Sequence, residues 1–316
     1  MEASQKVSLI TFLVGSGVDR VNQKTSARVD LKFFFTVALN SLTLAALYFI
    51  VAAGFTLVFG LMRVLNLAHG AIYLLGAYVG FEVMQATEEW LVAAAGGAIA
   101  AALFGIFIHV AILSWMPGQE LRQTLATVAV SLIAADLMIA VWGGLSYQIE
   151  VPDLLFGSVP IPRIGKYPIF RLTLIGLAVA IGLLLWLLLN RTRLGMMIRA
   201  GVDDREMLAA MGKNVPLVFV AVAGLGGLLA GLGGVVGGSA LAIAPGEDAR
   251  VLLSSLVVVI VGGMGSVVGA AMGAILVGFA EQFGLAYTPT YGVVYTFLIM
   301  VMVLSLRPRG LFGAGA

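Results

Sequence analysis

Residues 33–62 read FFFTVALNSLTLAALYFIVAAGFTLVFGLM and contain no charged side chain. Residues 251–280, VLLSSLVVVIVGGMGSVVGAAMGAILVGFA, are also uncharged. Because about 20 apolar residues cross the hydrocarbon core of a bilayer as a helix, each stretch is longer than one crossing requires. Backbone polar groups in hydrocarbon must be satisfied within the segment, which favours helices. The two stretches therefore predict an all-α integral membrane protein.

The composition of the whole chain supports this prediction. Hydrophobic residues make up 61% and charged residues 11% of the 316 residues, whereas soluble domains have about a quarter of their residues charged. The net charge of +2 is too small to indicate a nucleic-acid partner. Cysteine is absent, which excludes disulfides and thiolate metal sites. We expect a polytopic helical protein whose partner is the lipid bilayer.

The distribution of apolar residues divides the chain into three parts. Residues 1–32 form an N-terminal tail that is either interfacial or disordered, because its apolar piece is short and a mixed-charge stretch follows. Residues 33–306 form a single transmembrane domain, and residues 307–316 form a C-terminal tail. About eight or nine transmembrane helices are expected. The apolar segments lie near 33–58, 60–84, 90–113, 121–143, 168–189, 216–243, 251–282 and 291–306.

Basic residues predict the side of the membrane on which the connecting loops lie, because Lys and Arg are enriched in cytoplasmic loops. Loop 190–215 carries five basic residues, and the C-terminal tail carries Arg307 and Arg309. Both are therefore predicted to be cytoplasmic. An even number of crossings must separate two segments that lie on the same side.

Segment 251–282 must then be a hairpin, made of two short spans or a re-entrant pair. The expected break is the cluster Gly262, Gly263 and Gly265, because glycine removes side-chain bulk and disfavours helix. Segment 60–84 in the first half is interrupted in a similar way between Gly60 and Gly70. Paired, glycine-broken segments in two halves are typical of a transporter's midplane site. Ordinary loops between spans are the alternative.

Segment 60–84 also conflicts with the rule for basic residues. If 33–58 and 60–84 were both full spans, the N-terminus would lie outside the cell. The basic residues Arg20, Lys24, Arg28 and Lys32 precede the first span, however, and they favour the inside. Either 60–84 is not a simple crossing or the rule fails for this tail, and the sequence leaves both possibilities open.

Polar side chains within the apolar segments are candidates for a translocation pathway, because each is costly in hydrocarbon. Asn66 and His69 stand three apart and would share a helix face near Tyr73. They would either line the pathway or brace the broken helix. Asp136 would face a polar cavity, be protonated or bind solute, and Glu281 is expected at the membrane interface. The glycines of the predicted pathway are Gly262, Gly263 and Gly265.

Catalytic signatures are absent from the sequence. The chain has two histidines, and neither His-Glu-x-x-His nor Gly-x-Ser-x-Gly occurs. The phosphate-binding pattern Gly-x4-Gly-Lys-Ser/Thr is absent as well. We therefore expect no catalytic residue, no metal site and no cofactor bound by this chain. If nucleotide energy is used, it must come from a partner.

Loop 190–215 is the candidate docking site for such a partner. Its piece 203–211 favours a short helix, with Asp203 or Asp204 as the N-cap and Gly212 as the end. A short amphipathic helix outside the membrane would fit a groove of a partner. A solvated basic loop is the alternative interpretation.

Four blocks of sequence, in order, resemble the branched-chain amino acid ABC transporter permeases. The first is GFTLVFGLMRVLNLAHGAIYLLGAY at 54–78, and the second runs from Arg193-Leu-Gly through Arg199-Ala to Ala209-Ala-Met-Gly212. The third is VGGMGS at 261–266, and the fourth is RPRGLFG at 307–313. The resemblance covers about residues 33–313.

The resemblance implies a bacterial inner-membrane importer. It would contain two permease subunits (identical or homologous), two cytoplasmic ATPase subunits that hold ATP and Mg, and a periplasmic solute-binding protein. Branched-chain or related amino acids, amides, urea or small carboxylates would be carried by ATP-driven alternating access.

The resemblance also assigns coupling to the ATPase to residues 199–212. The docking loop of ABC importers in general carries Glu-Ala-Ala-x3-Gly. Here Glu206 and Gly212 keep that interval, whereas Met207 and Leu208 replace the two alanines. The residues assigned to coupling are Arg199, Asp203, Asp204, Glu206, Ala209 and Gly212.

Three other functions compete with this interpretation. An ion-coupled secondary transporter or channel would need no ATPase and would use Asp136 as its ion site. A sugar-type ABC permease shares the architecture but fits the block around Asn66 and His69 less well. A membrane-embedded enzyme lacks the clustered acids and histidines that it would need.

The predicted hairpin can be tested by cysteine labelling, since the natural chain has no cysteine. Single cysteines introduced at positions 251 and 282 should react with an impermeant reagent added to the same side of the membrane. The reason is that these positions are the two ends of one hairpin. Reaction from opposite sides would contradict the hairpin.

Overall fold

The structure, a computed structural model, describes residues 2–162 and 165–312. Side chains are described from Leu31 onward, except at positions 203, 205 and 293. The side chains of residues 1–30 of the predicted N-terminal tail and residues 313–316 of the C-terminal tail lie outside this description. The same holds for the side chain of Asp203, one of the residues assigned to coupling.

The described residues are mostly helical, with one small β-hairpin. The helices are α1 (Glu2–Met62), α2 (His69–Thr87), α3 (Trp90–Ala111), α4 (Glu120–Trp142), α5 (Ile169–Arg191), α6 (Arg193–Asp203), α7 (Arg205–Ala210), α8 (Val215–Ala240), α9 (Glu247–Gly262), α10 (Val267–Tyr287) and α11 (Gly292–Leu306). The antiparallel strands are β1 (Ser158–Ile161) and β2 (Gly165–Pro168), with Ser158 opposite Pro168. Three 3-10 turns lie at Leu113–Trp115, Asp153–Leu155 and Pro289–Tyr291.

Six segments of the described chain are long and apolar enough to cross a membrane. They are Leu31–Met62, Trp90–Trp115, Glu120–Trp142, Ile169–Arg191, Val215–Ala240 and Val267–Tyr287. Helix α11 adds the shorter apolar segment Val294–Leu306. The predicted helical, multi-pass membrane fold is confirmed, whereas the count of eight or nine spanning helices stays a prediction. Helices α2, α9 and α11, which are not among the six segments, account for the difference.

The predicted break in the first half of the chain is present. Helix α1 ends at Met62, Arg63 has a φ of 54°, and residues 63–68 are non-helical before α2 begins at His69. The prediction that Asn66 and His69 share a helix face is wrong, because Asn66 precedes the helix.

The predicted hairpin in the second half is also present. Helices α9 and α10 pack against each other on either side of the turn 263–266, and Arg250 Nη2 lies 3.8 Å from Glu281 Oε1 near their other ends. The N–H groups of Leu311 and Phe312 donate to the carbonyl oxygens of Val261 and Gly262, both at 2.9 Å. The C-terminal tail therefore returns to the hairpin turn. The side from which positions 251 and 282 react stays a prediction.

Helix α1 ends beside loop 190–215. Leu61 lies against Gly201, and Arg63 Nη2 donates to the Val202 carbonyl oxygen at 3.2 Å. We call this side of the molecule the loop end and the opposite side the far end. Leu31, at the start of the α1 span, therefore lies at the far end. Because the basic residues that precede the Leu31–Met62 span and loop 190–215 lie at opposite ends, the rule for basic residues cannot hold for both.

Helix α8 is the central packing element, and its glycines allow neighbouring backbones to approach. A Cβ on Gly226 would lie 3.0 Å from the Gly54 carbonyl oxygen of α1, and one on Gly231 would lie 2.7 Å from the Gly97 carbonyl oxygen of α3. These contacts leave no room for a larger side chain. The glycines of this helix therefore form a close-packed seam with α1 and α3.

Candidate functional site

Helix α2 begins at mid-depth rather than at a membrane surface. The Nε2 N–H of His69 donates to the Val51 carbonyl oxygen at 3.1 Å. Val51 lies eleven residues before Met62, which is about 16 Å along α1 at a rise of about 1.5 Å per residue. Since a hydrocarbon core is about 30 Å thick, His69 lies near its middle. Residues 63–68 therefore lead from the loop end into the membrane.

Helix α9 begins at a similar depth, next to the start of α2. A Cβ on Gly70 would collide with the Asp248 carbonyl oxygen and come within 2.9 Å of Leu252 Cβ. The non-helical residues 241–246 lead from the end of α8 to this point. The N-termini of two interrupted helices thus meet inside the membrane.

Four polar side chains lie together at this depth, and we call them the mid-depth cluster: Tyr48, Glu247, Arg250 and Glu281. Tyr48 lies near the middle of the Leu31–Met62 span, and its hydroxyl donates to Glu281 Oε2 at 2.7 Å. Arg250 Nη1 donates to both carboxylate oxygens of Glu247, at 3.1 and 3.3 Å. Arg250 Nη2 lies 3.8 Å from Glu281 Oε1. Two carboxylates therefore share one guanidinium.

The interfacial position expected for Glu281 is wrong. Only 5% of this residue is exposed, and α10 continues for six residues beyond it, or about 9 Å. The carboxylate is retained at this depth because Tyr48 and Arg250 compensate its charge and hydrogen-bonding capacity. A buried carboxylate without such partners would cost several kcal/mol.

One side of the mid-depth cluster is open. The side chain of Arg250 is 50% exposed and that of Glu247 is 25% exposed. Residues 241, 242 and 246 of the non-helical segment are exposed on the surface as well. Charged side chains and irregular backbone are not tolerated against lipid tails, only against protein or a water-filled cavity. This face of the chain must therefore border water or another protein.

Tyr73 of α2 is buried beside the same region. Its ring lies against Gly233 and its hydroxyl against Gly237 of α8, and the charges of Glu247 and Arg250 act on it. The structure thus brings Tyr73, a predicted pathway residue, close to the mid-depth cluster.

Asn66 and His69 hold the break before α2 in place. Asn66 Oδ1 accepts from the Ala68 N–H at 3.1 Å, and its carbonyl oxygen accepts from the His69 N–H at 3.2 Å. The Leu67 N–H donates to Thr127 Oγ1 of α4 at 3.0 Å. Asn66 and His69 are 6% and 1% exposed. These contacts favour bracing, and a role in lining the pathway stays a prediction.

Asp136 does not join the other predicted pathway residues. It lies exposed on α4, a helix that packs against α2, and takes no part in the mid-depth cluster. The structure places the predicted glycines at the loop end, where Gly263 and Gly265 have φ values of 106° and 85°. A Cβ on Gly60 would lie 3.1 Å from Gly265 Cα, so the end of α1 touches the hairpin turn directly.

A cavity of about 560 Å³ opens between α1, α5, α6 and α10. Its wall includes Phe49, next to Tyr48 in the sequence, and extends to Asn190 and Arg199 at the loop end. Most lining side chains are apolar, including Leu57 and Trp186. The volume and lining suit a small, largely apolar solute.

The predicted short helix in loop 190–215 is confirmed as α7. Asp204 is its N-cap, with Oδ1 accepting from the Met207 N–H at 2.9 Å. Gly212 follows the helix with a φ of 72°, and its N–H donates to the Ala209 carbonyl oxygen at 2.9 Å. Asp203 is instead the last residue of α6.

Helices α6 and α7 have one anchored face and one exposed face. Ile198 and Leu208 are both 3% exposed, and Arg199 Nη1 donates to Asn190 Oδ1 of α5 at 3.1 Å. The opposite face exposes Glu206 with 64% of Met207 and 69% of Met211. Exposed methionines adapt readily to a partner surface. This arrangement suits docking of a second protein.

Sequence reasoning missed Glu247, Arg250 and Tyr48. The first two stand in a short charged run directly before the apolar stretch that begins at residue 251. That run indicates the first turn of a helix. Its depth in the membrane, however, follows only from the contacts of α9 with α2 and α10. Within the described residues, no group of three or more histidine, aspartate or glutamate side chains is placed to hold a metal ion.

Residues 37–306 match the family model described as the branched-chain amino acid transport system / permease component. The high-affinity branched-chain amino acid transport system permease protein LivH of Escherichia coli is 27% identical over 297 residues, or 89% of this chain and 96% of that protein. BraD of Pseudomonas aeruginosa, described in the same words, is 28% identical over 305 residues, or 90% and 97%. Among solved structures, PsaBC from Streptococcus pneumoniae in complex with Fab matches with a TM-score of 0.51 at 14% identity, covering 90% of this chain and 97% of that one.

The meeting of α2 and α9 can be tested by adding one methyl group. Gly70→Ala should destabilise the protein by about 1–3 kcal/mol, because its Cβ collides with the backbone of Asp248. Gly176→Ala, in helix α5, is the matched control, since its Cβ meets no atom within 4 Å. It should leave the free energy of unfolding unchanged or raise it by up to about 1 kcal/mol. Denaturant titration in mixed micelles measures both, and equal stability of the two variants would contradict the contact.

Proposed function

This chain belongs to the family of branched-chain amino acid ABC transporter permeases, and on that premise we propose that it forms the solute pathway of an ATP-driven importer. The observation that carries the proposal is the direct contact of α6, which packs against α7, with the end of α1 and, through α1, with the α9–α10 hairpin. Helices α6 and α7, which we call the docking segment, are thereby joined to the helices that bear the mid-depth cluster.

The exposed face of α6 and α7 is the proposed docking surface for a cytoplasmic ATPase subunit. Met207 and Met211 supply the apolar contact, and Glu206 supplies charge beside it. ATP and Mg bind to that partner, since this chain has no phosphate-binding sequence. The coupling residues remain those expected from the sequence, including Asp203, Asp204, Ala209 and Gly212.

Movement of the docking segment has a short route into the membrane. Gly201 lies against Leu61, and Arg63 reaches the Val202 carbonyl oxygen, so displacement of α6 acts on the end of α1. Gly60 of α1 in turn touches Gly265 in the hairpin turn. Because α9 and α10 are continuous helices from the turn to mid-depth, movement of their turn is transmitted to Arg250 and Glu281.

Alternating access follows if the two nucleotide states of the ATPase bind the docking segment in different positions. A ligand shifts a conformational equilibrium only by its different affinities for the two states. A periplasmic binding protein delivers the solute at the far end, and the cavity of about 560 Å³ serves release at the loop end. Branched-chain and related amino acids are the proposed solutes. Amides, urea and small carboxylates belong to the wider class proposed from the sequence.

A second permease subunit, identical or homologous, faces the open side of the mid-depth cluster across the solute pathway in this proposal. The half-exposed guanidinium of Arg250 supports this, because an isolated chain would present it to lipid. The complex lies in the plasma membrane of a bacterium, with loop 190–215 in the cytoplasm.

The direct test is leucine uptake into vesicles that contain the purified permease and ATPase subunits. Uptake should require ATP at the loop end and a solute-loaded binding protein at the far end. Omitting either component should reduce accumulation to the level of empty vesicles. Uptake driven by a proton or sodium gradient without ATP would favour an ion-coupled transporter instead.

The docking assignment predicts the effect of Gly212→Pro. Proline cannot adopt a φ of 72° and removes the N–H that donates to Ala209, so the end of α7 must rearrange. ATP-driven uptake and co-purification of the ATPase should be abolished, while insertion of the chain into the membrane is unchanged.

Gly143→Pro is the matched control for this experiment. Gly143 has a φ of 77°, and its N–H also donates to a helix carbonyl oxygen, that of Ile139. It lies outside loop 190–215, so the same backbone strain should leave ATPase association intact. Uptake at the wild-type level by the Gly212→Pro variant would overturn the docking assignment.

A further inference from the structure

Resting on the proposed function, we propose that the mid-depth cluster binds the α-carboxylate and α-ammonium groups of an amino acid solute. Arg250 takes the carboxylate, and Glu247 with Glu281 takes the ammonium. The inference narrows the solutes to zwitterions and disfavours amides, urea and simple carboxylates at this step of transport.

Arg250 has capacity for a bound carboxylate. Its hydrogen bonds to Glu247 use Nη1 alone, and the 3.8 Å separation of Nη2 from Glu281 is too long for a hydrogen bond. Half of the side chain is exposed on the open side of the cluster. Guanidinium groups bind carboxylates through two parallel N–H donors, and this face leaves such an approach open.

The net charge of the cluster selects for an accompanying cation. Two carboxylates and one guanidinium carry a net charge of −1. A bound carboxylate without an ammonium group would make the net charge −2. An ammonium group on the adjacent carbon of the solute restores the balance. Because charges interact strongly at this depth, a carboxylate without an ammonium is rejected.

The arrangement of the mid-depth cluster suits the selection of a solute and not only the stabilisation of the fold. Tyr48 and Glu281 form the buried side, where Glu281 is 5% exposed and held by the Tyr48 hydroxyl. Arg250 and Glu247 form the open side. The N-terminus of α9 adds a positive dipole end beside Arg250, as interrupted transporter helices do toward anionic groups.

Protection of an introduced thiol tests this assignment without ATP or a binding protein. Ala249→Cys places a thiol on an exposed position next to Arg250, in a chain that has no other cysteine. The full permease–ATPase complex in lipid nanodiscs is labelled with a thiol reagent in the presence of leucine, leucinamide or 4-methylpentanoate. Leucine should slow labelling about fivefold when present at about four times its Kd. 4-Methylpentanoate should have little effect at the same concentration, and leucinamide should protect less than leucine because it lacks the carboxylate that Arg250 binds.

Charge variants in the Ala249→Cys background assign the groups individually. Arg250→Gln should weaken protection by leucine about tenfold or more, whereas Arg122→Gln, in the first turn of α4, should not. Glu247→Gln removes the excess negative charge and should allow 4-methylpentanoate to protect the thiol. This gain of binding cannot arise from a misfolded protein.

The possible results separate this inference from the proposed function. Protection by leucine without ATP-driven uptake would support the binding site and contradict the proposed function as an importer. ATP-driven uptake with equal protection by leucine and leucinamide would overturn the binding site alone. Failure of Glu247→Gln to admit 4-methylpentanoate, or full protection in Arg250→Gln, would also overturn it.

Discussion

Helices α2 and α9 begin inside the membrane, where water is not present to satisfy the backbone groups that lead into them. Residues 63–68 solve this with side chains, since Asn66 and Thr127 accept the N–H groups of Ala68 and Leu67. Residues 241–246 pair in part with the loop after α4, where Ile243 and Tyr147 exchange two backbone hydrogen bonds. Both solutions place a helix N-terminus at mid-depth, and the charged cluster depends on that placement.

Close backbone contact makes this geometry possible. Gly70 brings α2 onto α9, and the glycines of α8 allow α1 and α3 to pack on a common axis. Aliphatic side chains at these positions would separate the helices and open the polar segments to lipid. A further close contact, between Gly60 and Gly265, joins the end of α1 to the hairpin turn and provides the route for movement of the cluster.

Features set by local chemistry were predictable from the sequence. The break before α2, the hairpin turn at 263–266 and the Asp204 cap of α7 follow from glycine and capping preferences over a few residues. Depth and partners were not predictable, because they depend on how helices far apart in sequence align. Glu281 resembled an interfacial residue until the position of Tyr48 was known, and Asp136 proved to lie on an outer helix.

The hydrogen bonds from Leu311 and Phe312 to Val261 and Gly262 have a consequence for biogenesis. These carbonyl oxygens belong to the last turn of α9, where a helix lacks donors of its own. Their donors are synthesised only after α10 and α11. The junction between the tail and the hairpin turn can therefore form only after both later helices have left the ribosome, which makes it a late event in the maturation of the protein.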